Sequence, residues 1–151
     1  MSQADTEIVL VEDNPNDAAL IARVLRKACP NTRLVVLKDG VEALEFFLGE
    51  GGGTDKATAH PKVILLDLKL PKVSGTEVLR RIKADDRTRT IPVVILTSSS
   101  EPRDLSESYG FGANSYVTKP VNFNDFSRVV AELGVYWLNF NMLPDGSREA
   151  R

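Results

Sequence analysis

The chain has 151 residues, 42% hydrophobic and 26% charged, a composition that excludes a disordered chain and indicates one globular domain. Its formal net charge of −2 at pH 7 gives no electrostatic reason to expect nucleic acid or an anionic membrane as a partner. The polar N-terminus does not resemble a signal peptide, no apolar run approaches the roughly 20 residues that cross a bilayer, and one cysteine excludes an internal disulfide, so we expect a cytoplasmic protein.

Five short runs rich in Val, Ile and Leu predict the strands of a parallel sheet, because a helical pattern lies between each run and the next. An α/β fold with helices on both faces of the sheet follows. We expect every strand residue except the last two of the fifth run to be buried on both sides. The predicted strands are Ile8 to Val11, Leu34 to Leu37, Val63 to Leu66, Val93 to Leu96 and Ser115 to Val117.

The first helix is predicted to start after Asn14-Pro15, because Asn is a good N-cap and Pro is tolerated in the first turn. It ends at Cys29-Pro30, where we interpret the cysteine as structural. The next three helices are expected at Val41 to Leu48, Thr76 to Ala84 and Arg103 to Tyr109. The glycine-rich segment from Gly49 to His60 is predicted to be the least ordered interior loop.

The last helix is predicted to begin at Asn122, with a glycine at position 134 that interrupts it. Its apolar residues are spaced three and four apart, which is typical of a packed seam. The sheet needs only the first part of this stripe, so the segment from Val135 to Leu143 carries surplus apolar surface, and Pro144 to Arg151 is expected to fray. The stripe consists of Phe123, Phe126, Val130, Leu133, Trp137 and Phe140.

This surplus surface predicts a homodimer through the last helix and its extension, because exposed apolar stripes often mark interfaces. The expected interface residues are Tyr136, Trp137, Phe140 and Leu143. The alternative is that Trp137 folds back onto the core of its own chain.

Charged and hydroxyl side chains follow four of the predicted strands: Glu12 and Asp13, then Asp67, then Thr97, then Lys119. The carboxyl ends of parallel strands converge on one crevice, so these side chains are expected to meet. Unit charges about 4 Å apart repel by roughly 4 kcal/mol at an effective dielectric of about 20, so the acids need a counter-ion. Hard oxygen ligands favour Mg²⁺. Each acid alone could be an ordinary solvated side chain, but the set predicts a metal site.

Four segments that carry these residues resemble the receiver domain of two-component response regulators. They are Val9 to Asn14, Leu65 to Pro71, Val94 to Thr97 and Tyr116 to Pro120, and the resemblance extends over about Glu7 to Leu133. It implies a five-stranded, doubly wound, flavodoxin-like fold. It also implies that Asp67 accepts a phosphoryl group from a phosphohistidine of a sensor histidine kinase, so the chain would be a phosphoacceptor that assists its own phosphorylation and dephosphorylation, and not an enzyme with a separate substrate.

The resemblance implies a metal site as well. Mg²⁺ would be bound by Asp13, Asp67 and the backbone carbonyl of Lys69, with Glu12 acting through water, and Lys119 would contact the phosphoryl oxygens.

A switch is implied in the same way. The Thr97 hydroxyl and the Ser98 backbone N–H would move toward the phosphoryl group, and Tyr116 would respond by remodelling the face of the fourth helix, fifth strand and fifth helix. The family also tends to have a cis bond at the position of Lys119-Pro120.

The extension carries a second, narrower resemblance. An aromatic helix end before Leu143-Pro144 is similar to that of single-domain regulators partnered with bacterial and cyanobacterial phytochromes. It implies a kinase partner of the bacteriophytochrome type. The receiver domain is expected over residues 1–133, and the extension and tail over residues 134–151 are too short for an output domain.

The same residues argue against other functions of α/β proteins. Haloacid dehalogenase-like phosphatases carry a second Asp two residues after the nucleophile, where this chain has Lys69. In a flavodoxin-like flavin binder the first loop binds the flavin phosphate, but here that loop carries the acids Glu12 and Asp13. The single histidine, His60, offers neither a zinc cluster nor a Ser-His-Asp arrangement. A receiver-like interaction module that works without phosphorylation remains the alternative.

Overall fold

The structure, a computed structural model, describes residues 6–49 and 60–146. The strands are β1 Ile8–Val11, β2 Leu34–Leu37, β3 Val63–Leu66, β4 Val93–Thr97 and β5 Ser115–Thr118. The helices are α1 Pro15–Ala28, α2 Gly40–Leu48, α3 Gly75–Ala84, α4 Pro102–Gly110 and α5 Phe123–Val135, and a π-helical segment, Tyr136–Phe140, continues α5. The predicted alternation of strands and helices is confirmed.

The five strands form one parallel sheet in the order β2-β1-β3-β4-β5. Val11 lies beside Leu37 and Leu66, and Thr97 lies beside Thr118, so the strands end at nearly the same level. The chain reverses its direction of winding between β1 and β3, where doubly wound sheets place their crevice. The predicted doubly wound fold is confirmed, and residues that follow β1 and β3 are brought next to each other.

Each face of the sheet has its own apolar core, because successive strand residues face opposite sides. Along β1, Val9 and Val11 belong to the first core and Ile8 and Leu10 to the second. The first core packs against α2 and α3 through Phe47, Val78, Leu79 and Ile82. The second packs against α1 and α5 through Ile21, Leu25, Phe126 and Val130.

The outer strands are less buried than expected. All four residues of β2 are half-buried, and β5 is half-buried at Ser115, Tyr116 and Val117 and exposed at Thr118. The prediction that β2 and the start of β5 are buried on both sides was therefore wrong. The physical reason is position: both are edge strands, and an apolar run looks the same at the edge of a sheet as in its centre.

Gly134 does not interrupt α5, contrary to the prediction. It is buried within the helix, and a Cβ atom there would lie 2.7 Å from Leu25 Cδ2 and 3.4 Å from Cys29 Sγ. The glycine therefore allows α1 and α5 to approach closely. Cys29 is buried in the same core, as expected of a structural cysteine, and burial raises the pKa of its thiol.

The extension packs partly onto its own domain. Leu138 is buried in the second core, with Trp137 half-buried beside it, whereas Tyr136 and Phe140 are 48% and 64% exposed. Trp137 also makes an edge-to-face contact with Tyr136, at 5.0 Å between ring centres. Within the predicted interface, the open apolar surface is therefore that of Tyr136 and Phe140, and Leu143 is half-buried.

The remaining expectations concern the Lys119-Pro120 bond, the interior loop and tail, and membrane spans. The peptide bond between Lys119 and Pro120 is trans, as the structure contains no cis bond in residues 6–49 and 60–146, so the family tendency does not hold here. Most of the predicted disordered loop, residues 50–59, and the end of the tail, residues 147–151, lie outside the described residues. Within the described ranges, none of the helices has the length and apolar character that a bilayer span requires.

The first turn of α3 packs directly on the end of β3, and we predict that Gly75→Ala will destabilise the protein by about 2 kcal/mol or more through overpacking. A Cβ atom at Gly75 would clash with the backbone carbonyl of Asp67 and lie 2.6 Å from Leu68 Cα, and backbone atoms cannot turn aside. Chemical denaturation measures the change.

Gly110→Ala is the matched control, because a Cβ atom built there meets nothing within 4 Å besides its chain neighbours and the backbone of its own helix. It should leave stability unchanged or raise it slightly, since alanine favours a helix over glycine. Equal stability of the two variants would contradict the packing argument.

Candidate functional site

The loops that follow β1, β3, β4 and β5 surround one open cleft of about 390 Å³ at the carboxyl edge of the sheet. The residues predicted to bind the metal and the phosphoryl group all line it: Glu12, Asp13, Asp67, Lys69, Thr97, Ser98 and Lys119. The sheet order explains this, because β1, β3, β4 and β5 are consecutive neighbours that end at one level. The cleft also contains Asp17, which the sequence argument did not identify.

The turn after β1 separates the two adjacent acids. The backbone N–H of Glu12 donates to the carbonyl of Leu37, and the side-chain Oε2 of Glu12 accepts from the backbone N–H of Asn14 at 3.1 Å. Asn14 in turn caps α1 by accepting from the backbone N–H groups of Asn16 and Asp17. As a result Glu12 is buried, whereas Asp13 faces solvent.

Asp67 is fixed at the floor of the cleft. Its backbone N–H donates to the carbonyl of Val11 at 3.1 Å, which ties the end of β3 to β1. Its side chain is 9% exposed, with Oδ1 accepting from the backbone N–H of Lys69 at 3.3 Å and Oδ2 accepting from Lys119. One carboxylate oxygen therefore faces the loop after β3, and the other faces the lysine.

The ammonium of Lys119 joins three carboxylates. Its Nζ donates to Glu12 Oε1 at 2.7 Å, to Asp17 Oδ2 at 2.8 Å and to Asp67 Oδ2 at 3.1 Å. Asp17 lies in the first turn of α1, five residues after Glu12, so a search among residues directly after strands does not find it. Its one sequence signal is an acid near a helix N-terminus, which is common without any site.

Crowding and burial shift the ionisation of this group. Burial raises the pKa of Glu12 to about 7, and the charge of Asp67 adds to the effect while Lys119 opposes it. Burial alone would lower the pKa of Lys119, but its hydrogen bonds to Asp17 and Glu12 and the charge of Asp67 raise it above its usual value. Lys119 is therefore a permanent cation, and it faces more acids than it can neutralise.

The acids fit a hard divalent cation. Carboxylate oxygens of Glu12, Asp13 and Asp67 lie within 4.8 Å of one another, and Asp13 leaves the site open to water on its exposed side. Mg²⁺ typically takes one or two carboxylates and retains several waters. The backbone of Lys69 borders the same cleft. The donor set and the excess of negative charge therefore suit Mg²⁺.

A second hydrogen-bond chain starts at the end of β4. Thr97 is fully buried, and its Oγ1 accepts from the backbone N–H of Ser99 at 3.4 Å. The hydroxyl of Ser99 donates to the carboxylate of Asp104 in the first turn of α4 and accepts from the backbone N–H of Glu101. Ser99 therefore connects the threonine to α4, while the adjacent Ser98 is exposed at the cleft.

The same serine also receives the predicted switch residue. The hydroxyl of Tyr116 donates to the carbonyl of Ser99 at 2.8 Å, and its ring is half-buried at the first core. Burial raises the pKa of Tyr116. Thr97, Tyr116 and α4 thus meet at one loop residue. The sequence argument identified neither these contacts of Ser99 nor Asp104, because a contact between a loop hydroxyl and a helix acid has no spacing signature.

Comparison with known proteins agrees with this geometry. The family model of the response regulator receiver domain matches residues 8–131. Among curated relatives, the probable methanogenesis regulatory protein FilR2 of Methanothrix harundinacea is 46% identical over 91% of this chain and 86% of its own. Response regulator Rcp1 of Synechocystis is 38% identical over 91% of this chain and 92% of its own.

Solved structures give the same result. The phosphorylated cyanobacterial phytochrome response regulator RcpA superposes with a TM-score of 0.84 at 37% identity, covering 92% of this chain and 98% of that one. The manganese-bound form of Rcp1 superposes with a TM-score of 0.83, also at 37% identity, covering 92% and 99% of the two chains. The fold, the acidic cleft and the match over most of the sequence lead to one conclusion: the chain belongs to the family of response regulator receiver domains.

Proposed function

We propose that this protein is a cytoplasmic response regulator, in which Asp67 accepts a phosphoryl group from the phosphohistidine of a sensor histidine kinase. The observation that carries the proposal is the setting of Asp67: a 9% exposed carboxylate at the floor of an open cleft, bonded to the buried Lys119 and close to Glu12 and Asp13. An aspartate with a purely structural role would not require several other carboxylates beside it.

The proposed reaction is an in-line transfer. A carboxylate oxygen of Asp67 attacks phosphorus, the P–N bond of the phosphohistidine breaks, and its electron pair returns to the imidazole. Such reactions depend mainly on positioning and on neutralising the transferred oxygens. Lys119 supplies a mobile point charge for those oxygens, and the Thr97 hydroxyl and Ser98 N–H complete the phosphoryl site.

In this proposal the residues that hold Mg²⁺ are Asp13, Asp67 and the carbonyl of Lys69, with Glu12 acting through water. The bound ion supplies positive charge for the transferred phosphoryl oxygens. The burial of Glu12 and its bond to Lys119 agree with an indirect role, whereas the exposed Asp13 is free to present its carboxylate directly.

The proposed switch uses the chain of contacts at Ser99. Phosphorylation adds charge and acceptor oxygens to Asp67, which would draw Thr97 toward the cleft. Because the Thr97 hydroxyl accepts from Ser99 N–H, and Ser99 contacts both Asp104 and Tyr116, movement of the threonine would be passed to α4 and β5. α4 is suited to respond, since its one buried residue is Ser108.

We propose a phytochrome-type kinase as the partner, because RcpA is described as a phytochrome response regulator and superposes over 92% of this chain. The name of FilR2 indicates a different pathway for that relative. Comparing the rates of phosphotransfer to this protein from a phytochrome kinase and from unrelated kinases tests the proposed partner. A faster transfer from the phytochrome kinase would support it.

We propose further that the protein forms a homodimer through α5 and its extension, with Tyr136, Trp137, Phe140 and Leu143 at the interface. A shallow apolar groove of about 370 Å³ runs along this surface between Ala131, Val135 and Phe140. Exposed apolar patches of this kind often mark interfaces. Since Trp137 is half-buried in its own domain, Tyr136 and Phe140 would supply most of the contact.

For the phosphorylation, we predict that a small phosphoramidate donor will add one phosphoryl group to the wild-type protein in the presence of Mg²⁺, but not in EDTA. Asp67→Asn removes the nucleophile and should abolish the gain, as measured by intact mass. Asp86→Asn is the control, because Asp86 pairs with Arg89 on an exposed surface and its side chain is 96% exposed. Absence of any gain would instead favour the interaction module that works without phosphorylation.

For the switch, we predict that Tyr116→Ala will accept the phosphoryl group at the wild-type level but lose the phosphorylation-dependent change at α4. The reason is that the tyrosine hydroxyl contacts Ser99 and not Asp67. Amide NMR shifts of residues 102–110, with and without phosphorylation, measure the response. Loss of phosphorylation itself would count against a switch at Tyr116.

For the dimer, we predict that Phe140→Glu will convert the protein to a monomer in light scattering, because it places a charge in the apolar contact. Phe123→Glu is the matched control: Phe123 is similarly exposed, at 59%, but lies at the other end of α5. A wild-type protein that is monomeric at all concentrations, or a dimer that survives Phe140→Glu, would refute this interface.

A further inference from the structure

Asp17 has no role in the proposed phosphorylation, yet it makes a short bond to the lysine that this reaction needs. Its Oδ2 accepts from Lys119 Nζ at 2.8 Å, whereas Asp67 Oδ2 accepts from the same atom at 3.1 Å. The backbone of Asp17 is fixed as well, since its N–H donates to the capping side chain of Asn14 at 3.0 Å. The carboxylate is thus held against the ammonium from the side of α1.

The ammonium has no spare donor. A lysine side chain offers three N–H bonds, and those of Lys119 go to Glu12, Asp17 and Asp67. A phosphoryl group on Asp67 brings further acceptor oxygens to this position. Lys119 can therefore contact them fully only if it weakens one of its existing bonds.

The three acceptors differ in how easily they can release the lysine. The side chain of Glu12 is 1% exposed and that of Asp67 is 9% exposed, so neither can exchange the ammonium for water at low cost. The side chain of Asp17 is 28% exposed and can be hydrated where it stands. Asp17 is therefore the partner that Lys119 can leave.

We propose that Asp17 is a positioning residue that competes with the phosphoryl group for Lys119. It would thereby set the affinity of this receiver domain for a phosphoryl group, or a mimic of one, at Asp67. The inference rests on the proposed function of Asp67. In the resting protein Asp17 draws the ammonium toward α1. In the phosphorylated protein the lysine turns to the phosphoryl oxygens, and the carboxylate of Asp17 remains nearby as a repelling charge.

The test is binding of trifluoroberyllate, a phosphoryl mimic that adds to an aspartate carboxylate, measured by fluorine NMR on the full chain at saturating Mg²⁺. We expect Asp17→Asn to bind it at least about threefold tighter than wild type, which is the scale of one partly exposed ion pair. The advantage should shrink in about 1 M salt, where the Debye length is about 3 Å. Asp17→Glu, which keeps the charge, should bind like wild type.

Asp125→Asn is the matched control. Asp125 occupies the same first-turn position of α5, with Asn122 as its capping residue, but it pairs with Arg128 on an exposed surface. It should leave the affinity unchanged, and tighter binding by this variant as well would attribute the effect to net charge and overturn the proposal.

Two other results are informative. If wild type binds trifluoroberyllate and Asp17→Asn binds it equally or more weakly, only the competition is refuted. If wild type does not bind it at all, the proposed function of Asp67 fails, and the role of Asp17 fails with it.

Discussion

The buried ammonium of Lys119 is the contact on which the rest of the site depends. Glu12, Asp17 and Asp67 come from two loops and a helix, and without a cation between them their mutual repulsion would favour a wider cleft or protonated acids. Removing one partner from a buried ion network typically costs about 3 to 5 kcal/mol, because the remaining charges stay uncompensated. The lysine therefore holds together the carboxyl ends of β1, β3 and β5.

This arrangement gives the site more negative than positive charge. One ammonium faces Glu12, Asp17 and Asp67, with Asp13 exposed beside them, and the burial of Glu12 raises its pKa. A divalent cation and a transferable phosphoryl group are the pair of ligands that such a site can accept together. In the proposed function the surplus of acids would bind the metal, and the lysine would turn from Asp17 to the phosphoryl oxygens. The same electrostatic imbalance thus underlies both the structure of the cleft and its proposed chemistry.

The connection from the cleft to α4 passes through single polar contacts, and α4 itself buries little surface. Ser99 is bonded to Thr97, Asp104 and Tyr116, while α4 places only Ser108 in a buried position. A helix with so little buried surface can shift at modest cost, since apolar burial is the main term that fixes a helix in place. The fold therefore combines a rigid sheet edge with a weakly attached helix beside it.

Local signals in the sequence, the apolar runs and the residues next to them, were enough for several predictions. They gave the order of strands and helices, the acids at the ends of β1 and β3, and the family itself. The burial of β2 and of the start of β5 was predicted wrongly, since the same apolar run can form a central or an edge strand. The prediction for Gly134 was also wrong. This glycine lies inside a helix, and its lack of a side chain lets α1 come close.

Amino-acid order by itself thus determined which segments form strands and helices, and which charged residues stand at the strand ends. Only the tertiary structure decided that Asp17 reaches Lys119, that Ser99 meets Asp104 and Tyr116, and that Leu138 is buried while Phe140 is exposed. The physical reason is distance. Lys119 and Asp17 are 102 residues apart in the chain, and their 2.8 Å contact exists only after the sheet has brought the residue that follows β5 into the same cleft as the first turn of α1.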